Sequence, residues 1–140
     1  MARYGRRSMH NLEGVQPILV DWCLELVTIM DNSVACGVRD LTTQAEYVRI
    51  GASKTMDSKH LIQHDGYGWA VDLAPYPVDY SDHRRFYILA GVGLGLAAKM
   101  GVPIRWGGRW NVDDDQFKLP SFNDMGHFEI ITGYTPRITA

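Results

Sequence analysis

Two long segments of the chain carry hydrophobic residues at helical spacing. In the first, between residues 15 and 30, apolar side chains recur every three or four positions, which predicts an amphipathic helix with one buried face. These positions are Val15, Ile18, Leu19, Trp22, Cys23, Leu26, Val27 and Met30. The second segment runs from a cap at Ser81 or Asp82 to Met100, and Gly101 follows as a typical C-terminal stop.

Shorter apolar stretches predict strands. Apolar and β-branched residues bounded by turn-forming residues are typical of short strands. Four such stretches occur, at residues 34–38, 69–74, 104–106 and 127–131. Separate helices combined with short strands predict an α+β domain.

A third, shorter helix is expected before the central loop. Thr43 and Glu46 have the spacing of a capping box, and the helix should end near Ile50 because Gly51 follows. Residues 52–68 are rich in Ser, Lys, Asp, Gly and His, which is typical of a loop. Residues 111–123 are polar and acidic and predict a second loop.

Length and composition limit the class of protein. The chain has 140 residues, 46% of them hydrophobic and 21% charged, which predicts one globular domain over residues 1–140. The formal net charge of −2 gives no general positive field for nucleic acid. The chain has two cysteines, Cys23 and Cys36, which is too few for a disulfide-rich scaffold or for a zinc site made of cysteines alone. The sequence is compatible with one disulfide between them.

The apolar runs argue against export and against membrane insertion. No apolar core of a signal peptide follows the basic N-terminal residues. The longest apolar run, residues 86–98, includes three glycines, and it is shorter than the about 20 residues that a membrane-spanning helix needs. We therefore expect a protein that is made in the cytoplasm and does not insert into a membrane.

Histidine and aspartate residues in three segments form a candidate metal site. His60 lies in the first segment, Asp72 in the second, and Asp124 with His127 in the third. Two neutral imidazoles and a carboxylate are a typical catalytic zinc set with a fourth position left for water, and a further carboxylate can act as general base. By composition alone, His and Asp exposed on loops are the more common explanation.

The order of these motifs resembles a known family of zinc peptidases. Ser-x-His, then Ala-x-Asp-Leu, then Asp-x-x-His-Phe-Glu resembles the D-Ala-D-Ala carboxypeptidase and VanY/VanX group, and within it the phage endolysins that act as L-alanyl-D-glutamate peptidases. Each motif is weak alone, but the ordered set is specific and covers nearly the whole chain. Further matching segments are Arg7-Ser8, residues 12–15, Gly37-Val38-Arg39 with Gln44, residues 51–60, residues 105–108 and His127-Phe128-Glu129.

The resemblance implies a fold and a metal. The implied fold is a small single-domain α+β zinc peptidase of the hedgehog and D,D-peptidase type, with helices packed on a short, mainly antiparallel sheet. The implied cofactor is Zn²⁺, and its implied ligands are His60, Asp72 and His127.

The same resemblance implies roles around the metal. Asp124 is the implied catalytic base, and Arg39 is implied to stabilise the scissile carbonyl oxygen as it gains negative charge. Ser58 and Gln44 are implied to shape the substrate-binding site.

The implied activity is hydrolysis of the bond between L-alanine and D-glutamate in the peptidoglycan stem. A phage enzyme of this kind stays in the host cytoplasm until lysis and then reaches the periplasm and the cell wall through a membrane hole made by a holin. The implied state is a monomer that contacts peptidoglycan and no nucleic acid. Two alternatives remain: a D,D-carboxypeptidase or dipeptidase with the same metal site, and a non-catalytic zinc-containing wall-binding module.

One spacing departs from the family pattern. The family places the Asp seven positions after the first His, whereas twelve positions separate His60 from Asp72 here. Either residues 61–68 contain a loop insertion and His60 is the ligand, or His64 has taken the role. We favour His60, because it keeps the Ser-x-His-Leu context and because loops tolerate insertions.

Three weaker signals have ordinary structural explanations. The glycines at 91, 93 and 95 lack a dinucleotide-binding context and indicate close helix packing. The cluster of Arg3, Arg6 and Arg7 is typical of a solvated N-terminal arm. Trp106 and Trp110 flank two glycines and suit either a cleft wall or the core.

Overall fold

Helices and strands are interspersed along the chain in the computed structural model, which describes residues 1–53, 56–108 and 124–136. The helices in these ranges are α1 (Arg6–Asn11), α2 (Pro17–Ile29), α3 (Leu41–Arg49) and α4 (His83–Met100). The strands are β1 (Asn32–Cys36), β2 (Ala70–Pro75), β3 (Ile104–Trp106) and β4 (His127–Ile130). The expected α+β class is therefore confirmed.

The four strands form one antiparallel sheet. Its order is β1-β2-β4-β3, so the last strand in sequence lies between β2 and β3. Asp72 on β2 is paired with Cys36 on one side and with His127 on the other. Side chains of directly opposed residues lie about 4.5–5.5 Å apart at Cβ, so this register brings three potential metal-binding side chains into one row.

The core is closed by the crossing of α2 and α4. Trp22 on α2 is fully buried, and its indole Nε1 donates to the carbonyl of Gly93 on α4 over 2.9 Å. A Cβ on Gly93 would lie 2.9 Å from Cζ2 of Trp22, whereas Gly91 and Gly95 face open space. The expectation of close helix packing is confirmed at Gly93 only.

The predicted helices and strands agree with the structure to within about two residues at most ends, but the start of α3 is different. Thr43 is not the cap. Asp40 occupies the N-cap, and its carboxylate accepts a hydrogen bond from the amide of Thr43 over 2.6 Å. The capping-box assignment was wrong because an Asp three positions earlier satisfies the free amides first. At α4, Asp82 is at the N-cap position without a side-chain capping bond.

Helix α1 was missed by the sequence pattern. It contains Arg6 and Arg7, whose side chains are exposed as expected, although they belong to a helix and not to an irregular arm. The helix covers the outer edge of β1: Ser8 Oγ accepts from the amide of Val34 over 3.0 Å, and Asn11 donates to the Val34 carbonyl over 2.8 Å. Its six residues carry no apolar period, because its side chains bind a strand edge instead of filling a core.

Several expectations fall on residues outside the described ranges, among them the loop at 111–123 and Trp110. Trp106 is described and belongs to the core, where its indole donates to the Met125 carbonyl over 2.6 Å. Cys23 and Cys36 are both free thiols. Among the described helices, none combines the length and apolar character needed to cross a membrane.

Candidate functional site

The centre of the site is the carboxylate of Asp72 in the middle of the sheet. One oxygen lies 3.2 Å from Nε2 of His60, and the other lies 3.0 Å from Nδ1 of His127. A guanidinium nitrogen of Arg39 lies 3.8 Å away. The structure therefore brings together the three residues expected to be metal ligands and the expected oxyanion-stabilising cation.

His60 reaches Asp72 from the loop before β2. Its ring nitrogen Nδ1 lies 2.7 Å from the carbonyl of Gly37, which can only accept, so Nδ1 carries the proton. In the neutral ring this leaves a lone pair on Nε2, the nitrogen that faces Asp72. The residue is 2% exposed, and Nε2 has no hydrogen-bond partner among the described residues.

His127 is oriented in the same way by a different acceptor. Its Nε2 lies 2.9 Å from a carboxylate oxygen of Glu129, which is 5% exposed and also accepts from Arg105 over 3.3 Å. The bond to Glu129 leaves Nδ1 facing Asp72. A carbonyl or carboxylate that takes the second ring N–H is the usual arrangement behind a metal-binding histidine.

The electrostatics of the site favour an additional positive charge. Burial raises the pKa of Asp72, but His127 and His60 lower it well below its usual range, so Asp72 is a carboxylate. Burial lowers the pKa of His60, yet the nearby Asp72 and Cys36 raise it more, to about 10. A proton or a metal ion between Asp72 and the histidines satisfies this demand.

Cys36 is a neighbour that the sequence pattern left without a role. Its Sγ lies 3.8 Å from Nδ1 of His60 and accepts from Arg39 over 3.5 Å. Cys36, His60 and Asp72 each offer a ligand atom within 4.8 Å of the others, a grouping that could hold a metal ion. The available signal was its place directly before the segment Gly37-Val38-Arg39, in the strand paired with β2.

Arg39 is held from behind by α3. It donates to the side-chain oxygen of Gln44 over 2.8 Å, and its guanidinium lies 4.4 Å from the ring centre of Tyr47. Gln44 is fully buried and donates in turn to Ser53 over 2.9 Å. Gln44, which was expected to shape the substrate site, is thus placed behind Arg39 and contacts its guanidinium.

Ser58 and Asp124 come from two different segments, before β2 and before β4, and line the same cavity. Ser58 Oγ accepts from the amide of His60 over 3.2 Å and so braces the His60 loop. Asp124 is exposed at the turn before β4. Its backbone packs so closely on Gly107 that a Cβ there would lie 2.6 Å from the Asp124 carbonyl oxygen and 3.0 Å from Cβ of His127. A glycine at 107 is therefore needed for the turn that carries Asp124.

Two cavities meet at the centre and form one cleft. Both are lined by Asp72, Asp124 and His127. The first, of about 530 Å³, we call the aromatic lobe; it is also lined by Tyr80, His83 and Phe86. The second, of about 330 Å³, we call the polar lobe; it is also lined by Arg39, Ser58 and Lys59. Asp72, Asp124 and His127 thus lie where the two lobes meet.

The residues between His60 and Asp72 form a closed turn. The amide of Gln63 donates to the Tyr67 carbonyl over 2.8 Å. His64 is exposed, and its ring packs on Trp69 with the centres 5.2 Å apart. Of the two histidines considered for the ligand role, His60 is the one that faces Asp72.

Comparison with known proteins agrees with these features. A family model described as phage L-alanyl-D-glutamate peptidase matches residues 1–131. The fold is similar to the crystal structure of the Serratia marcescens L-Ala D-Glu endopeptidase ChiX, with a TM-score of 0.73 and 29% identity, over 93% of this chain and 90% of that chain. A search of curated proteins gave no significant match. Because the family model covers all but the last residues of the sequence, the chain belongs to the phage L-alanyl-D-glutamate peptidase family.

Proposed function

We propose that the protein is a zinc-dependent peptidoglycan endopeptidase of the phage endolysin type that cleaves the bond between L-alanine and D-glutamate. Family membership supports the bond and the wall substrate. The observation that supports the metal is the pair of histidine nitrogens, each with its other ring nitrogen bound to an acceptor, that face the Asp72 carboxylate at 3.2 and 3.0 Å.

Zinc is the metal that this donor set suits. Imidazole nitrogen and carboxylate oxygen are its usual ligands in catalytic sites, which keep one position open. His60, Asp72 and His127 would hold it. Cys36 is the less suitable third ligand, since its sulfur lies nearest to Nδ1 of His60, the nitrogen already bound to Gly37. When bound, zinc supplies a Lewis acid that polarises the scissile carbonyl and lowers the pKa of a water molecule.

Asp124 is the proposed general base. It is exposed at the junction of the two lobes, lies three residues before His127 in the sequence, and lines the same cleft as His127. A carboxylate there can accept the proton of the attacking water and then deliver it to the amine of D-glutamate as the peptide bond breaks.

Arg39 is the proposed oxyanion-stabilising residue. Its side chain is 11% exposed and is fixed by Gln44 and Tyr47, so little reorganisation is needed when negative charge develops on the scissile oxygen. A guanidinium is always protonated, which suits a constant electrostatic role. Ser58 and Gln44 act as positioning residues, for His60 and Arg39 respectively.

The test is mass spectrometry of purified peptidoglycan after digestion. We expect new N-terminal D-glutamate with the native enzyme, none after chelation, and recovery when zinc is restored. Released D-alanine would assign the enzyme to D,D-cleaving peptidases. A zinc-binding protein that releases no product would instead be a wall-binding module, and this proposal would be wrong.

We also propose that the enzyme acts as a monomer from the host cytoplasm and passes to the wall through a holin. Family membership is the support for this route. Expression in a bacterial cytoplasm should leave cells intact until the inner membrane is permeabilised, and cell turbidity then falls. Lysis without permeabilisation would contradict the need for a separate membrane hole, and light scattering of the purified protein tests the monomer.

A further inference from the structure

A second groove continues the aromatic lobe away from the metal-binding residues. Its volume is about 730 Å³, and it shares Ala35 and Tyr80 with the aromatic lobe. One wall is formed by the edge strand β1 and the loop after β2, and the other by the N-terminal residues Arg3, Arg6 and Arg7. We call it the arginine groove. The shared residues make the lobe and the groove one continuous path across the surface.

Exposed tyrosine rings line this path. Tyr76 is 60% exposed and Tyr80 is 63% exposed, although both belong to a loop that follows a buried strand. The ring of Tyr80 stacks on Phe86, with the centres 5.8 Å apart and the planes 26° apart, so its orientation is fixed. Flat rings with an apolar face and a polar tip are typical binding surfaces for partly apolar, partly polar ligands.

The arginine wall offers hydrogen-bond donors that the protein itself does not use in ion pairs. Within the described ranges, no carboxylate lies at salt-bridge distance from Arg3, Arg6 or Arg7. The same groove contains Asp31, an exposed carboxylate. Donors combined with an acceptor and aromatic faces fit a ligand rich in hydroxyl and amide groups better than a polyanion.

The charge of the polar lobe gives the direction of the substrate. A glutamyl residue has two carboxyl groups, and its next peptide bond uses at most one, so the D-glutamate side of the scissile bond is anionic. Both lobes share the carboxylates of Asp72 and Asp124, and the polar lobe adds Asp57 and Glu129, of which Glu129 is already bonded to His127 and Arg105. Of the two lobes, only the polar lobe also contains the cations of an arginine and a lysine, Arg39 and Lys59. Opposite charges attract most in a partly desolvated cleft, so the D-glutamate side suits the polar lobe and the L-alanine side the aromatic lobe.

In peptidoglycan the L-alanine is joined to an N-acetylated amino sugar of the glycan strand. We propose that the arginine groove is a subsite for this glycan strand, with Tyr76 and Tyr80 stacking on sugar rings and the arginines donating to their hydroxyl and acetamido oxygens. The inference rests on the proposed function, because it uses the position of the scissile bond. It predicts that the enzyme recognises the sugar as well as the peptide.

The test compares two substrates that differ only in the sugar: N-acetyl-L-Ala-D-Glu, and the same dipeptide carried on the disaccharide N-acetylglucosaminyl-N-acetylmuramic acid. We expect the native zinc enzyme to have the higher kcat/KM on the disaccharide substrate. In Tyr76→Ala, the ratio of the two kcat/KM values should fall about five- to tenfold, as is usual when a central aromatic contact is removed. The matched control is Tyr67→Ala, which removes an exposed tyrosine that lines neither the cleft nor the arginine groove.

Each outcome supports or overturns the inference. Equal kcat/KM values of the native enzyme on the two substrates would overturn it and leave the proposed peptidase intact, whereas cleavage of neither would contradict the proposed function itself. A ratio that is unchanged both in Tyr76→Ala and when Arg3, Arg6 and Arg7 are replaced by Gln would show that neither wall of the groove contacts the sugar. That result would also overturn the assignment to a glycan. Circular dichroism of each variant separates a lost contact from a lost fold.

Discussion

The carboxylate of Asp72 lies 3.2 Å from Nε2 of His60, and when this histidine is neutral neither the carboxylate nor Nε2 carries a proton. The other ring nitrogen of His60 is bound to the Gly37 carbonyl, which fixes the lone pair on the side of Asp72. Two electron-pair donors at this distance repel unless a cation lies between them. Burial lowers the pKa of His60, but Asp72 and Cys36 raise it more, to about 10, so a proton on Nε2 meets this condition at neutral pH, and a metal ion can take the place of that proton.

The first prediction separates the two histidines near this carboxylate. His60→Ala should abolish stoichiometric zinc binding and lower kcat/KM by more than about 100-fold, because one of the three proposed ligands is lost. His64→Ala is the matched control, since His64 packs on Trp69 at the surface and should leave zinc content and activity near native values. Zinc content by mass spectrometry and peptidoglycan digestion give the readouts. Loss of zinc in His64→Ala with retention in His60→Ala would reverse the assignment.

The second prediction concerns the residue behind His127. Glu129→Gln keeps the shape of the side chain but removes the negative charge that fixes the proton on Nε2 of His127. Zinc affinity should fall about 10- to 100-fold, the usual effect of losing an acceptor behind a metal-binding histidine. Competition with a chromogenic chelator measures it. An unchanged affinity would mean that Glu129 serves only its contact with Arg105.

The third prediction isolates the general base. Asp124→Asn should keep the zinc, because Asp124 lies at the cleft junction and outside the proposed ligand set, and should lower kcat about 10²- to 10⁴-fold. Zinc content and turnover are measured on the same preparation. Nearly native turnover in a zinc-loaded variant would exclude Asp124 as the base.

Much of the candidate site could be predicted because its residues occur in short motifs. His60, Asp72 and His127 were found from their order along the chain, and the structure brings their side chains together beside β2. Helix α2 was predictable for a different reason, since its buried face repeats every three or four residues. In both cases the information is local in the sequence.

The missed features depend on contacts between distant segments. Cys36 reaches the site only through the register of β1 with β2, and a shift by one residue would turn it to the other face. Gln44 was singled out in the sequence, yet its burial behind Arg39 depends on the contact between α3 and the loop after β1. Helix α1 is held to the edge of β1 by the hydrogen bonds of Ser8 and Asn11. Polar contacts of this kind leave no hydrophobic periodicity in the sequence, so the helix could not be predicted from it.

The fourth prediction tests the helix crossing beneath the site. Gly93→Ala should lower the free energy of unfolding by about 1–3 kcal/mol, because its new methyl group overlaps the fully buried ring of Trp22. Gly91→Ala on the same helix should raise it by up to about 1 kcal/mol, because Gly91 faces open space and alanine favours a helix. Urea unfolding of both variants gives the two values. Equal changes in the two variants would show that helix propensity, and not the contact with Trp22, dominates at this crossing.

The last prediction concerns which end of the substrate enters the polar lobe. Lys59 lies one residue before His60, lines this lobe, and has its Nζ 4.9 Å from the ring centre of Trp69, so its charge is held beside the cleft. If it pairs with the free carboxylate of D-glutamate, Lys59→Met should lower kcat/KM about three- to tenfold on L-Ala-D-Glu substrates and much less on analogues in which that carboxylate is an amide. Lys99→Met, at the exposed end of α4, is the matched control. An equal loss on acid and amide substrates would mean that Lys59 only supports the His60 loop, and the substrate direction would then have to be reversed or assigned to Arg39 alone.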